Sequence, residues 1–192
     1  PRSTHLEVVH AHIEFFQEIG SVPETIFYDR MAVVYDSRRQ QFNDNFLDFS
    51  MYFGFRPCIC NPASPNEKGT DEESVGYVRR TTFGERSSFV SVADAEQWLK
   101  ARLVEINAHP VYRRPNVPVK GLDQERNLMH KLPTLDYENY ELKRSAISRY
   151  SLVKFDGNFY SIPDTYRPRN ITIKISVDRI ELLDGTDSIA SH

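Results

Sequence analysis

The spacing of apolar residues changes period once, near residue 150, and that change limits the folds open to the chain. From Ser151 onward apolar and polar residues alternate. Ser151-Leu152-Val153-Lys154-Phe155 runs into the turn Asp156-Gly157-Asn158, and Phe159-Tyr160-Ser161-Ile162 returns. Ile171-Thr172-Ile173-Lys174-Ile175-Ser176-Val177 alternates cleanly, Arg179–Leu183 pairs back through a tight turn, and Asp184-Gly185 offers a further hairpin before Ser188–Ala190. A period of two puts successive side chains on opposite faces of a strand. Four or five short strands within about 40 residues predict a small all-β barrel of the SH3 kind.

Upstream the period is helical, interrupted by two short strands. Thr4 with Glu7 forms a capping box for a helix to Ile19, with Val9, Ile13 and Phe16 on one face and Gly20 as its stop. Thr25-Ile26-Phe27-Tyr28 is a short apolar run without alternation, which fits a strand buried on both faces and ending at Asp29. Phe42–Tyr52 reads as a helix with Phe42, Phe46, Phe49 and Phe53 on one face, a core stripe. Phe55–Cys60 is a second strand, 61–66 a loop, and Glu67–Arg80 a helix. Strands followed by helices predict an α/β layer with a parallel pair. Ligands of such layers sit beyond the carboxyl ends of the strands, where Asp29 falls and where the 61–66 loop delivers the next helix. Ser91 and Asp94 open a further helix to about Asn107, Val119–His130 forms a shorter one, and 134–149 reads as a charged linker.

Composition excludes some classes. Mean hydropathy is −0.52, and no apolar run approaches the ~18 residues of a membrane span. No charged-then-apolar leader opens the chain, so a cytoplasmic protein is expected, and the N-terminus at Pro1 reads as a cut edge. Net charge is −3, so a polyanion would have to meet local basic clusters. The halves differ in sign, −5 over residues 1–100 and +2 over 101–192. Cys58 and Cys60 lack the second ligand pair of a zinc site and read as two buried thiols of a reduced compartment.

Asn66 to Arg80 carries the chemistry-bearing residues. Asp71, Glu72 and Glu73 stand near a helix start, and Asp29 lies at a strand end 43 residues before Glu72. Two-metal phosphodiester chemistry needs carboxylates that hold two cations about 3.5–4 Å apart, and Mg²⁺ favours such hard oxygen ligands. Helix phase does not choose among the three acids. Acids at a helix start also satisfy the macrodipole without any catalysis. In the barrel, Lys154, Arg167, Arg169, Lys174 and Arg179 with Tyr160 and Tyr166 suit either a phosphate-contacting face or an ordinary solvated one.

Several of these stretches resemble the IstA-type insertion-sequence transposases, within the wider class of DDE transposases and retroviral-like integrases. The resemblance rests on Val22-Pro23, Ile26-Phe27-Tyr28-Asp29, Asn66-Glu67-Lys68-Gly69 with an acid three residues on, and Val75-Gly76-Tyr77-Val78-Arg79-Arg80. Phe155–Pro163 and the closing Ile189-Ala190-Ser191-His192 resemble the same family's carboxy-terminal barrel. It implies the carboxy-terminal part of an RNase H-like catalytic core over 1–85, a helical connector over 86–149 and a small β-barrel over 150–192.

The resemblance also implies Mg²⁺- or Mn²⁺-dependent cleavage at element ends and strand transfer into target DNA, with self-association and a separate ATPase helper. It assigns Asp29 as the family's second acid and Glu72 as its third, both catalytic and metal-binding. Lys68, Arg79, Arg80, Lys154, Arg167, Arg169 and Lys174 become DNA-binding candidates. Three departures stand out: Arg30 where the family usually has Asn, Asp71 where it usually has an apolar residue, and no acid-bearing strand ahead of Thr4 to supply the first carboxylate. A non-catalytic DNA-binding or assembly module is the alternative reading, and an RNase H-like nuclease of another line a third.

Overall fold

The computed structural model describes residues 4–60, 65–110, 117–166 and 170–192, with backbone alone over 65–72. Helix α1 (His5–Ile19) starts at the expected capping box: the Glu7 amide donates to Thr4 Oγ1 (3.3 Å) and the Thr4 amide to Glu7 Oε2 (2.7 Å). It ends at Gly20, whose φ of 70° is the left-handed cap conformation. Strand β1 (Thr25–Tyr28) pairs in parallel with β4 (Arg56–Ile59), Thr25 opposite Arg56 and Tyr28 opposite Ile59. A parallel pair needs a long crossover. Here it contains the two-residue strands β2 (Tyr35–Asp36) and β3 (Gln41–Phe42) and helix α2 (Asp44–Phe53). Arg38 and Arg39 belong to the β2–β3 turn, where their amides donate to Asp36 Oδ1.

α1 and α2 bury their aromatic faces together. Val9, Phe16, Val22, Tyr28, Val34, Phe46, Phe49, Phe53 and Phe55 form one core. His12 sits inside it. Its Nδ1 faces the Val8 carbonyl at 2.7 Å, so Nδ1 carries the proton, and Nε2 accepts from the Tyr28 hydroxyl at 2.9 Å. Phe55 stacks on the ring at 6.4 Å and 6°. β1 departs from the expectation of a strand buried on both faces: Phe27 is 64% exposed. Among the described residues β1 has β4 as its one neighbour, so its other edge and one of its faces stay open.

Helix α3 (Pro65–Phe83) and helix α4 (Val92–Ala108) form a hairpin, followed by α5 (Pro118–Glu125) and a 3₁₀ turn over Arg126–Leu128. The linker reading of 134–149 is corrected, because β5 (Glu141–Ala146) is a strand. It pairs antiparallel with β8 (Asn170–Ile175) from Glu141 opposite Ile175 to Ala146 opposite Asn170. β5 is an edge strand, and exposed Lys143 and Arg144 are what such an edge tolerates. β6 (Leu152–Phe155) and β7 (Asn158–Ser161) make a hairpin whose turn residues Asp156 and Gly157 have φ of 47° and 79°. Both values suit a primed turn, as Asp-Gly does. β9 (Ile180–Asp184) and β10 (Asp187–Ser191) complete a four-stranded sheet of order β10-β9-β8-β5. The ladder does not close into a barrel among the described residues. The four-stranded sheet and the β6–β7 hairpin remain separate sheets that share one core of Val153, Ile162, Ile171, Ile173, Ile175 and Leu182.

Burial disfavours the charged imidazolium and holds His12 below the ordinary imidazole value, against a smaller opposing effect of the Val8 carbonyl. Its contribution to stability is therefore complete above that ordinary value and is lost as the pH falls through the depressed one. Thermal melts between about pH 7.5 and about pH 5 should show this loss. His12→Gln should flatten the slope to the part owed to His5, whose value burial also lowers. Tyr28→Phe should cost about 1–3 kcal/mol at neutral pH by leaving Nε2 without its donor.

Candidate functional site

The ladder of the parallel pair extends one residue beyond β1: the Cys60 amide donates to the Tyr28 carbonyl at 2.9 Å. Asp29 therefore stands at the carboxyl end of β1 beside the point where the chain leaves β4 for α3. It is exposed, and its carbonyl accepts from the Met31 amide at 2.7 Å. Glu72 lies seven residues into α3, about 10 Å along the axis from Pro65 at 1.5 Å per residue. The side chains of Lys68, Asp71 and Glu72 lie outside the described residues, as do Arg167 and Arg169. Among the described residues no three His, Cys, Asp or Glu side chains gather as a metal site. Asp29 supplies the exposed, hard oxygen donor that Mg²⁺ favours. Cys58 and Cys60 are not in a disulfide and are half-buried, less enclosed than expected.

α3 is anchored at its carboxyl end. Trp98 Nε1 donates to the Thr82 carbonyl at 2.9 Å. Arg86 grips Asp94 with two bonds of 3.1 and 2.6 Å and lies 4.6 Å from the Phe89 ring centroid. Arg102 pairs with Glu85 at 2.8 Å and with Glu105. The Val90 amide, and after it the Arg86 guanidinium, hold the Asp94 carboxyl below its ordinary value. Arg79 and Arg80 are exposed on the same helix. Arg80 folds back along it, so that a Cβ on Gly76 would come within 3.2 Å of Nη1.

The cations predicted on the β layer separate into two kinds. Lys154 is exposed and lies 5.9 Å from the Phe159 centroid. Lys174 is half-buried, 4.5 Å above the Tyr140 ring and 3.9 Å from Glu181. Arg179 also pairs with Glu181, at 3.5 Å. Lys174 is thus held by internal partners. Lys143, Arg144 and Arg149, in the stretch that reads as linker, are exposed cations on and just after β5.

A family model described as Mu transposase, C-terminal domain, matches residues 132–192. The match takes in β5, ahead of the barrel boundary expected at 150. The transposase for insertion sequences IS1326/IS1353 of Pseudomonas aeruginosa is 29% identical over 195 residues, covering 98% of this chain and 38% of that protein. The resemblance to insertion-sequence transposases is borne out by these matches. The transposase for insertion sequence element IS21 of Pseudomonas aeruginosa is 24% identical over 94% of this chain and 47% of that protein. The chain thus spans less than half the length of these relatives. A chain of the simian T-cell lymphotropic virus intasome, in complex with PP2A regulatory subunit B56 gamma, is similar at a TM-score of 0.49. It has 13% identity, and the match covers 98% of this chain and 62% of that one. No helix among the described residues is long and apolar enough to cross a membrane.

Trp98→Phe removes the donor to Thr82 and should lower the unfolding free energy by about 1 kcal/mol, read by urea titration. Asp94→Asn should loosen the α3–α4 turn and shift Trp98 fluorescence at neutral pH. In the wild type the same shift should appear as the pH falls through the depressed value of Asp94.

Proposed function

We propose that the chain is part of a DNA transposase of the DDE class, in which Asp29 and Glu72 are two of the catalytic carboxylates of an RNase H-like core. The observation that carries this reading is the shared carboxyl end of β1 and β4. Asp29 stands there, and α3, which bears Glu72, is launched from the same end. A strand-end acid and an acid on the helix launched from the same end can together supply carboxylates for phosphodiester chemistry with divalent cations. The relationship to insertion-sequence transposases supports it.

Asp29 and Glu72 would hold Mg²⁺ or Mn²⁺, which supplies Lewis-acid activation of the attacking oxygen and neutralises charge at the scissile phosphate. Arg30, next to Asp29, offers a positive group for either the carboxylate or a phosphate. Exposed Arg79 and Arg80, with Lys68 on the same helix, would neutralise the backbone of the bound DNA end. The remaining carboxylate would come from a strand laid along the open edge of β1, covering Phe27. A groove of about 710 Å³ lies along that side, lined by His12, Phe15, Pro23, Ile26, Phe27 and Cys60. Element ends and target DNA are the substrates. Self-association would bring two ends together, with an ATPase helper for target capture. The β layer would add DNA contacts from Lys154 and from Arg167 and Arg169.

The test uses a longer transposase containing this chain and a duplex carrying an element end. Asp29→Asn and Glu72→Gln should each reduce metal-dependent cleavage by about 10³-fold or more, since several kcal/mol of charge stabilisation is removed. Asp71→Asn and Glu73→Gln should stay within a few fold of wild type. Undiminished cleavage in Glu72→Gln would remove the assignment. Metal-independent end binding without any cleavage would favour the assembly-module reading instead.

A further inference from the structure

We propose that the seam between edge strand β5 and the β6–β7 hairpin is a cationic and aromatic strip that holds a short tract of single-stranded DNA. The proposal rests on the reading above that the protein works on DNA, and it names a surface and a strand state which that reading leaves open. Tyr150 and Phe159 are 67% and 63% exposed, large rings with open faces. Each carries a cation. The Arg149 guanidinium lies 4.7 Å from the Tyr150 centroid and donates to its hydroxyl at 2.6 Å, and the Lys154 ammonium lies 5.9 Å from the Phe159 centroid.

The backbone fixes Lys154 and Phe159 on one side. Lys154 and Phe159 are register partners, so both point away from the core, while their neighbours Val153 and Tyr160 form the inward rung, with Val153 fully buried. β5 is tied to β6 by the Ile147–Val153 bridge and by Ser145 Oγ donating to the Lys154 carbonyl at 3.3 Å. Tyr150 lies in the turn between β5 and β6, closed by the Ser151 amide donating to the Ser148 carbonyl at 3.1 Å, four positions before Lys154.

Charge across the sheet has a direction. Arg144, Arg149 and Lys154 are exposed, and no carboxylate among the described residues forms an ion pair with any of them. Of the nearer acids, Glu141 is taken up by Lys143 at 3.5 Å, and Asp156 sits in the β6–β7 turn. β9, β10 and the turns before them carry Asp178, Asp184 and Asp187, while Glu181 is paired with Lys174 and Arg179. A polyanion at the β5–β6 seam would meet Arg144, Arg149 and Lys154 first. Rings topped by cations favour unpaired bases, whose faces are free to stack, over a duplex, whose bases are already stacked.

The test measures fluorescence anisotropy of the 192-residue chain with a labelled oligothymidylate of about twelve nucleotides and with a duplex of equal length. No divalent metal is present. Tyr150→Ala with Phe159→Ala should weaken single-strand binding about tenfold or more and leave duplex binding within about twofold. Tyr150→Phe with Phe159→Tyr should restore it, and an unchanged melting curve for the alanine pair shows that the fold is intact. Arg149→Ala and Lys154→Ala should weaken single-strand binding, each lowering the logarithmic salt slope by about 0.7. Lys174→Ala should change little.

The strip is overturned by any of four results: no single-strand binding by the wild type, no loss in the alanine pair, equal loss on duplex, or a Lys174→Ala effect matching that of Lys154→Ala. The two proposals fail separately. Metal-dependent cleavage that needs Asp29 and Glu72, with single-strand binding indifferent to Tyr150 and Phe159, removes the strip alone. Single-strand binding that needs both rings, without cleavage by the longer protein, removes the catalytic reading alone.

Discussion

Parallel pairing of β1 with β4 is the constraint on which the candidate site depends. Four rungs from Thr25–Arg56 to Tyr28–Ile59 make both strands leave the layer at one end. Had the pair been antiparallel, Asp29 and the start of α3 would lie at opposite ends. The crossover between the strands needs a rigid body to bring the chain back, and α2 supplies it by packing Phe46, Phe49 and Phe53 against Phe16 of α1. His12 is the polar exception inside this packing. Its two nitrogens are both engaged, which is what permits a titratable ring among phenylalanines.

The segment between the 3₁₀ turn and β5 is a strap rather than a free connector. Val22 and His130 exchange two backbone bonds of 2.9 Å, Arg126 Nε donates to the Ile19 carbonyl at 2.7 Å, and Asn139 Nδ2 donates to the Leu6 carbonyl at 2.9 Å. Tyr137 packs edge-on against Phe49 at 5.3 Å. Leu6, from the first turn of α1, is buried in the core of the β layer. The aromatic layer and the β layer therefore share a strap and a helix end, which fixes how the strip on β5–β7 is presented relative to the carboxylate end of β1.

Local signals were legible in the sequence. The Thr4 and Glu7 capping box, the Gly20 stop, the Phe stripe of α2 and the Asp156-Gly157 turn are each set by the chemistry of a few adjacent residues. What was not legible depends on neighbours distant in the chain. Glu141–Ala146 does not alternate cleanly, because an edge strand needs only one paired side and accepts Lys143 and Arg144 where an inner strand would not. Thr25–Tyr28 has the composition of an inner strand, yet Phe27 is exposed, since burial requires a second neighbour that a run of four residues cannot specify. That Lys174, a DNA-contact candidate by its charge, stands directly across from Glu181 is set by the β8–β9 register and not by its neighbours in the chain. The acid that resemblance chose, Glu72, was left open by helix phase, because an exposed helix with few apolar residues has no stripe to set its orientation.

Net charge conceals the electrostatics that matter. At −3 over 192 residues the molecule offers no long-range attraction for a polyanion. Within roughly a Debye length, about 8 Å at physiological salt, only nearby groups count. On that scale Arg149 and Lys154 act beside their rings, while Asp184 and Asp187 act across the sheet, and the two sets do not cancel at either edge. A bound strand would feel a directional surface on a nearly neutral protein. On the proposed reading such a surface would orient DNA more than concentrate it, and orientation would be the larger need if a strand is presented to carboxylates at the end of a parallel pair.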